Sequence, residues 1–566
     1  MRDASDPAWG SAGAGVQNGG NQVADTNDGK FSRRDMFKMA VAAGASATLP
    51  ASALAAQARS KHRPNVLLIM ADQQRGDCLG VDGNTAIRTP NMDTIAREGV
   101  RFTNAYTSTP SCIPARAGLL TGLSPWHHGL LGMDGWPIAT RYATEMPRSL
   151  HDAGYYTTTI GKNHFGPPRQ SHSYDMMLND EHHDIANVFR SDYHSWFWGE
   201  APNITGAKGP NDTSDAVDGC GFGWKDFWNA YQAKAFPYPE HLHRTQWVGQ
   251  TAVNYLHTYD RSEPFFLKVS FIPPHSPYIP PKRLMRQYHD ADLPKAFHGS
   301  WSEKYRPRSG PGLDIWHGDL GEEQVRRSRE GYYGQVTFVD EQVGRILDEL
   351  DAKGLMEETL IIYTSDHGDM LGDHYMWRKV QPYQSSARIP MLMRWPKGLI
   401  SAQRGQVLSQ PTELRDIMAT FLDAASAPVP ETLDGRSLLQ LAAGKTEGWR
   451  PYIDLEHDVC YSPLVHWNAL TDGHFKYIFH AHDGSEQLFD LDHDPQELQD
   501  LSSESAHQNQ LKLWRGRMVE HLTERGEEWV KDGKLMVRPK GMPISPHYPR
   551  EEAKRIAMAP VKNHRD

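Results

Sequence analysis

Polar residues of a particular kind stand where the apolar runs of this chain stop. Asp72 and Gln73 follow "NVLLIMA", Lys162 and His164 follow "YYTTTIG", His275 follows "FFLKVSFIPP", and Asp366 and His367 follow "LIIYTS". Cys112 and Arg116 lie in "TPSCIPARAGLLTG", and Lys379 in "YMWRK". Oxygen ligands from Asp72, Gln73 and Asp366 suit a hard divalent cation, to which His367 could add a nitrogen. Arg116, Lys162 and Lys379 would neutralise a small tetrahedral anion. Brought together, such a set transfers a sulfuryl or phosphoryl group. Each residue alone has a plainer use: an Asp after a strand caps a helix, a His among prolines packs a loop, and a lone Lys is solvated. Cys112 by itself is compatible with a thiol nucleophile, a buried small side chain, half of a disulfide, or the precursor of a modified residue.

One sheet must gather these positions. The run over residues 65–70 is continuous and apolar, as in strands buried on both faces of a parallel sheet, and ligands of open α/β sheets bind at the carboxyl ends of such strands. A helix ends before Gly99, a strand is expected over 100–105, and Cys112 falls in a Pro-bounded turn before the helix "ARAGLLTG". Further buried strands precede Lys162 and His275. A long helix over 322–353 carries Val336, Val339, Val343, Ile346 and Leu350 at three- and four-residue spacing. The strand 360–364 and the run "IPMLMRWP" follow. The alternation predicts an α/β fold: a large, mostly parallel mixed sheet flanked by helices, over residues 62–445. Residues 168–246, rich in Trp, His, Asp and Gly, read as an inserted stretch of loops and short helices beside the site. Over 446–525 the turns "TDGH" and "HDGS" predict a small antiparallel sheet with a helix packed on it, and 526–566 a tail wrapping the surface.

Composition narrows the partners. A net charge of -10 argues against nucleic acid, and the four cysteines, Cys78, Cys112, Cys220 and Cys460, lack the spacing of a zinc site or disulfide framework. The start of the chain, "FSRRDMFKMAVAAGASATLPASALAA", reads as a twin-arginine export signal over residues 1–56, with Arg33 and Arg34 ahead of a short Ala-rich run. That run is too short to span a bilayer. A periplasmic or extracellular protein with no stable membrane anchor is expected, exported folded by the twin-arginine machinery.

"CIPARAGLLTG" resembles the signature of the sulfatase family, the formylglycine-dependent type I enzymes of the alkaline phosphatase superfamily. The stretches "PNVLLIMADQ", "TPNMDTIAREGVRFTNAYT", "GKNH", "PPHSPY", "TLIIYTSDHGDMLGDH" and "EQLFDLDHDPQE" match in the same order. The resemblance implies an alkaline phosphatase-like fold and a sulfuric ester hydrolase. Cys112 would be oxidised by a maturation enzyme to formylglycine, whose hydrated aldehyde attacks sulfur, forms a covalent sulfo-enzyme and collapses to release sulfate. Asp72, Gln73, Asp366 and His367, with residue 112, would hold a divalent metal, calcium by default, with manganese and magnesium as alternatives. Arg116 and Lys162 would hold the diol, His164 would take the proton that triggers release, and His275 with Lys379 would bind the ester and protonate the leaving oxygen. The Asp-Gln and Asp-His pairs resemble choline sulfatases and phosphonate monoester hydrolases, whereas "GKNH" resembles sulfatases. The substrate implied is an organic sulfate monoester, aryl or carbohydrate. A phosphonate or phosphate ester hydrolase on the same fold is the alternative, and a non-catalytic glycan-binding relative a third reading.

Overall fold

The computed structural model describes residues 63–133, 136–139, 141–181, 191–201 and 229–550. The expected export signal and Cys220 lie outside them. The strands are β1 (Asn65–Asp72), β2 (Val100–Phe102), β3 (Ala105–Tyr106), β4 (Tyr156–Gly161), β5 (Met176–Asn179), β6 (Phe265–Pro274), β7 (Thr359–Ser365), β8 (Met391–Arg394), β9 (Gln406–Leu408), β10 (Thr412–Glu413), β11 (Ile453–Cys460), β12 (Ser462–Thr471), β13 (Phe475–His480) and β14 (Ser485–Asp490). The helices that matter most to the site are α1 (Pro90–Arg97), α2 (Cys112–Thr121), α3 (Asp192–Glu200), α4 (Arg244–Thr258), α5 (Glu322–Ala352), α6 (Asp416–Ala424) and α7 (Gln508–Leu522).

Eight strands form the main sheet in the order β5-β4-β6-β1-β7-β8-β2-β9. Every neighbouring pair is parallel except those made by β8, which is antiparallel to both β7 and β2. β1 sits near the centre. Its alternate residues Val66, Leu68 and Met70 enter one apolar cluster, and Leu67, Ile69 and Ala71 enter the cluster on the other face. That two-sided burial is why the run lacks polar alternation; each large side chain so buried stabilises by roughly 1.5–3 kcal/mol. α6 packs with α2 on one face, while α1, α4 and α5 cover the other.

Three expectations change. The expected strand over 100–105 is split: β2 joins the main sheet, and β3 pairs with β10 in a separate parallel pair. The inserted stretch contributes β5, the edge strand beside β4, so part of it belongs to the sheet. Its short "MMLN" run is only half-buried, which removed the apolar signal. Cys112 is not in a turn but opens α2, with Ser111 as the extended residue ahead of it.

The C-terminal sheet runs β11-β12-β13-β14, antiparallel throughout, with α7 packed on it. Its Ile453, Leu455, Trp467 and Phe489 share a cluster with Met370, Val380 and Tyr383 of the main region. The tail as far as residue 550 does more than wrap the surface. Trp529, Ile544 and Tyr548 are buried, and Ile544 bridges to Leu130.

Candidate active site

The carboxyl ends of β1, β4, β6 and β7 deliver the polar residues to one place. Asp72 ends β1, Asp366 and His367 follow β7, Lys162 and His164 follow β4, and His275 follows β6. Gly161 makes the β4 exit feasible: it has φ +99°, and a Cβ there would lie 2.0 Å from the Ser270 carbonyl. The connecting loops hold non-glycine residues in the left-handed region at Gln73 (φ 72°), His164 (61°), Arg378 (63°) and Val380 (73°). Such conformations cost of order 1–3 kcal/mol each and persist where the surroundings enforce them.

Cys112 is the focus. Its Sγ lies 2.8 Å from Lys379 Nζ, 3.2 Å from His367 Nε2, 3.6 Å from Asp72 Oδ1 and 3.9 Å from Lys162 Nζ. Burial disfavours the thiolate, but Lys162, Lys379 and His367 outweigh it and hold the thiol well below its ordinary range. The N-terminus of α2 adds positive potential at the same point. The pocket is built to stabilise a negative atom at position 112.

Asp72 faces the same cations. Burial pushes its carboxyl up, yet Lys162, His275 and Lys379 bring it below the usual carboxylate range, and Lys162 Nζ makes a short ion pair with Oδ2. Arg116 directs its hydrogen bonds to Asp366 Oδ2 (2.9 Å), the Lys162 carbonyl (2.9 Å), Ser270 Oγ (3.0 Å) and Asp72 Oδ2 (3.4 Å). It therefore ties together the ends of four strands and neutralises the carboxylates.

One ligand atom each from Asp72, Cys112, Asp366 and His367 lies within 4.8 Å of all the others, in a buried cluster. His367 Nδ1 is 2.9 Å from the Gly368 carbonyl, which fixes the proton there and turns Nε2 to the cluster. Gln73 donates its peptide N–H to Asp366 Oδ1 at 3.1 Å and its Nε2 to Asp369 Oδ2 at 2.6 Å, and its buried Oε1 has no hydrogen-bond partner among the described residues. Two carboxylates and an imidazole, with an orphaned amide oxygen on the residue after Asp72, fit a hard divalent cation.

His275 Nε2 lies 3.1 Å from Lys379 Nζ, and its Nδ1 is 2.6 Å from the Ser276 carbonyl. Nδ1 thus carries the proton and Nε2 accepts from the ammonium. Burial, reinforced by Lys379, pushes His275 down to about 4, whereas Lys379 is raised despite burial by Cys112 and Asp72. At neutral pH the charge of this pair sits on the lysine.

The aromatic run at 193–197 packs inward: Tyr193 and Phe197 are buried in the cluster beneath α4. Gln384 accepts from Lys476 Nζ at 3.1 Å, a structural contact. Sequence reasoning passed over Asp369, which is inside "SDHGDM" and receives both Gln73 and the Tyr278 hydroxyl at 2.6 Å. It also passed over the β11–β12 hairpin. A bulge between Asp458 and Cys460, with Val459 (φ 43°) and Tyr461 (φ 56°) in the left-handed region, brings Tyr461 against Arg378, whose guanidinium is 5.5 Å from the ring centroid. Burial, and after it Cys460, pushes the Tyr461 phenol up against the pull of Arg378. The paired turn residues Gly-less "VCYS" carried no signal for this bend.

A buried cluster of two carboxylates, a thiol and an imidazole that could hold a metal ion, set in a polar cradle at the strand ends of an alkaline phosphatase-like sheet, defines a class, the ester hydrolases of that superfamily. A family model described as Sulfatase matches residues 64–427, and one described as N-sulphoglucosamine sulphohydrolase, C-terminal, matches 372–524. The chain is 36% identical over 496 residues to an arylsulfatase of Clostridium perfringens, covering 85% of this chain and 98% of that protein. It is 30% identical to a choline-sulfatase of Rhizobium meliloti, covering 78% and 82%. Among solved structures, a phosphonate monoester hydrolase of Agrobacterium radiobacter superposes with a TM-score of 0.66 at 26% identity, covering 82% of this chain and 96% of that one. The chain belongs to the sulfatase family, a family of sulfuric ester hydrolases.

Proposed function

We propose that the chain hydrolyses an organic sulfate monoester, with formylglycine made from Cys112 as nucleophile and a divalent cation, calcium by preference over manganese or magnesium, held by Asp72, Gln73, Asp366, His367 and residue 112. The convergence of Lys379, Lys162, His367 and Asp72 on Cys112 Sγ carries the reading. When bound, the cation supplies a Lewis acid for the sulfate oxygens. As formylglycine, residue 112 supplies a hydrated aldehyde in place of a thiol.

The remaining work belongs to side chains already in place. Lys162 and Lys379 offset negative charge at residue 112, and Arg116 holds the carboxylates against the strand ends. His164 takes a proton from residue 112 by this reading. Lys379, the charged member of its pair, gives the proton to the leaving oxygen, with His275 accepting on Nε2 and orienting it. Substrate, by this reading, is an aryl or carbohydrate sulfate met outside the cytoplasm after twin-arginine export; the arylsulfatase relative and the paired Arg33 and Arg34 support it.

Phosphonate or phosphate ester hydrolysis is the second reading, favoured by Gln73 and His367 and by the phosphonate monoester hydrolase likeness. Rates on matched aryl sulfate and aryl phosphate esters separate the two. The nucleophile is tested by mass spectrometry of the peptide ending at Arg116: an aldehyde at position 112 is expected. Unmodified thiol throughout fully active protein would refute it.

A further inference from the structure

His164 lacks the support that a catalytic imidazole ordinarily has. Its ring interacts with Cys112, while its buried Nδ1 has no hydrogen-bond partner among the described residues, so no carboxylate or carbonyl of those residues fixes the ring from behind. The backbone is held instead. His164 sits at φ 61°, a strained value for a residue with a Cβ, and the peptide N–H groups of Asn163 and His164 both donate to one oxygen, Glu181 Oε1, at 2.8 and 3.0 Å. Glu181 is itself only 6% exposed.

The side chains along this turn alternate. Lys162 reaches Asp72, and His164 turns to Cys112. Asn163 points the other way and is wholly buried. Its Oδ1 accepts from Thr159 Oγ1 at 2.7 Å and Lys268 Nζ at 2.9 Å, and its Nδ2 donates to Asn179 Oδ1 at 3.1 Å. Burial, with Arg116, pushes Lys268 on β6 down to about 7, and the Glu181 charge acts against that fall. The turn is thus pinned from beneath through Asn163 and from the side through Glu181, and both site residues ride on it.

We infer that Glu181 is a positioning residue, whose carboxylate clamps the Asn163 and His164 amides and thereby fixes the His164 imidazole, and with it Lys162, against residue 112. A charged acceptor of two adjacent N–H groups is what a left-handed turn needs to outlast its strain. The role assigned to His164 rests on the function proposed above, whereas the clamp itself does not.

The test uses the mature full chain with Glu181→Ala and Glu181→Gln. Hydrogen exchange of peptides covering 162–165 reads the clamp without substrate: Glu181→Ala loses protection there, and Glu181→Gln, which keeps an acceptor oxygen, retains most of it. With 4-nitrophenyl sulfate, Glu181→Ala lowers kcat by about 10- to 100-fold with KM within about threefold. Glu181→Gln recovers the rate. Unchanged protection and kcat in Glu181→Ala overturn the inference. Equal loss of rate and melting temperature in both variants also overturns it by assigning Glu181 a bulk structural role. Lost protection in a chain whose parent turns over no sulfate ester upholds the clamp and refutes the proposed function.

Discussion

Lys379 Nζ stands 2.8 Å from Cys112 Sγ while also touching His275 Nε2 at 3.1 Å, so one ammonium joins the nucleophile position to the imidazole beside it. On the proposed function, the arrangement keeps a cation between the attacking atom and the place where an ester oxygen must leave. A proton donor in that position matters in proportion to how poor the leaving group is.

Lys379→Ala is accordingly expected to cost kcat/KM on an alkyl sulfate about a hundredfold or more, and much less on 4-nitrophenyl sulfate, whose phenolate leaves unaided. The dependence of rate on leaving-group pKa measures this. Equal losses across the series would remove Lys379 from the proton-donor role.

Chelation should destabilise the protein. Dialysis against a chelator is expected to lower Tm, and calcium to restore it, because a ligand that binds only the folded state stabilises it. Gln73→Leu, which deletes the unpartnered Oε1, should raise the cation concentration for half-restoration by about tenfold. A Tm indifferent to chelator and cation in the parent protein would rule out the cluster as a cation site.

Buried histidines away from the cluster give a pH dependence of stability. Burial pushes His243 down to about 3 and His480 down to about 4. The unfolded chain therefore binds protons below the ordinary His range that the folded chain refuses. The contribution is complete above about pH 6.5 and is lost as pH falls toward the folded values. Asp340 and Glu413, raised to about 7 by burial, act in the opposite sense, so the difference between variant and parent is the informative quantity. His243→Gln should melt lower at pH 7 but lose less between pH 7 and pH 5. Parallel Tm curves would contradict it.

Tyr461 is expected to contact the alcohol portion of substrate. Tyr461→Ala should raise KM for a bulky aryl or sugar sulfate several-fold, about 1 kcal/mol, and leave a small alkyl sulfate nearly unchanged. A uniform change in KM would place the residue outside the substrate site.

Much of this arrangement was legible in the sequence because buried parallel strands are unbroken apolar runs, and whatever ends them is conspicuous. Asp72 after β1 and Asp366 after β7 stand out for that reason. Strand direction is not written in composition, so the antiparallel β8 reads like its parallel neighbours. The half-buried β5 lacks the apolar contrast that marks the others. Glu181 was invisible because it acts on backbone amides, and the nearest chemistry in sequence is distant by 17 residues from His164. Asp369 was hidden in plain view within "SDHGDM", since an acidic residue two positions after His367 looks like a turn former. Tyr461 meets Arg378 through a bulge, and a bulge leaves no periodic trace.

The burial of Cys112 imposes an order in time. The side chain is 1% exposed, lies in the first turn of α2 and is roofed by Lys379 and His367. On the proposed function, an oxidising enzyme has no path to this thiol once β1, β7 and α2 have assembled, so conversion precedes folding and folding precedes export. Folding is then the deadline for maturation, and a molecule that folds early is committed to its thiol. Native protein carrying Cys112 should resist conversion by the maturation enzyme, while the same chain presented unfolded should accept it; conversion of the native form would break the sequence of events.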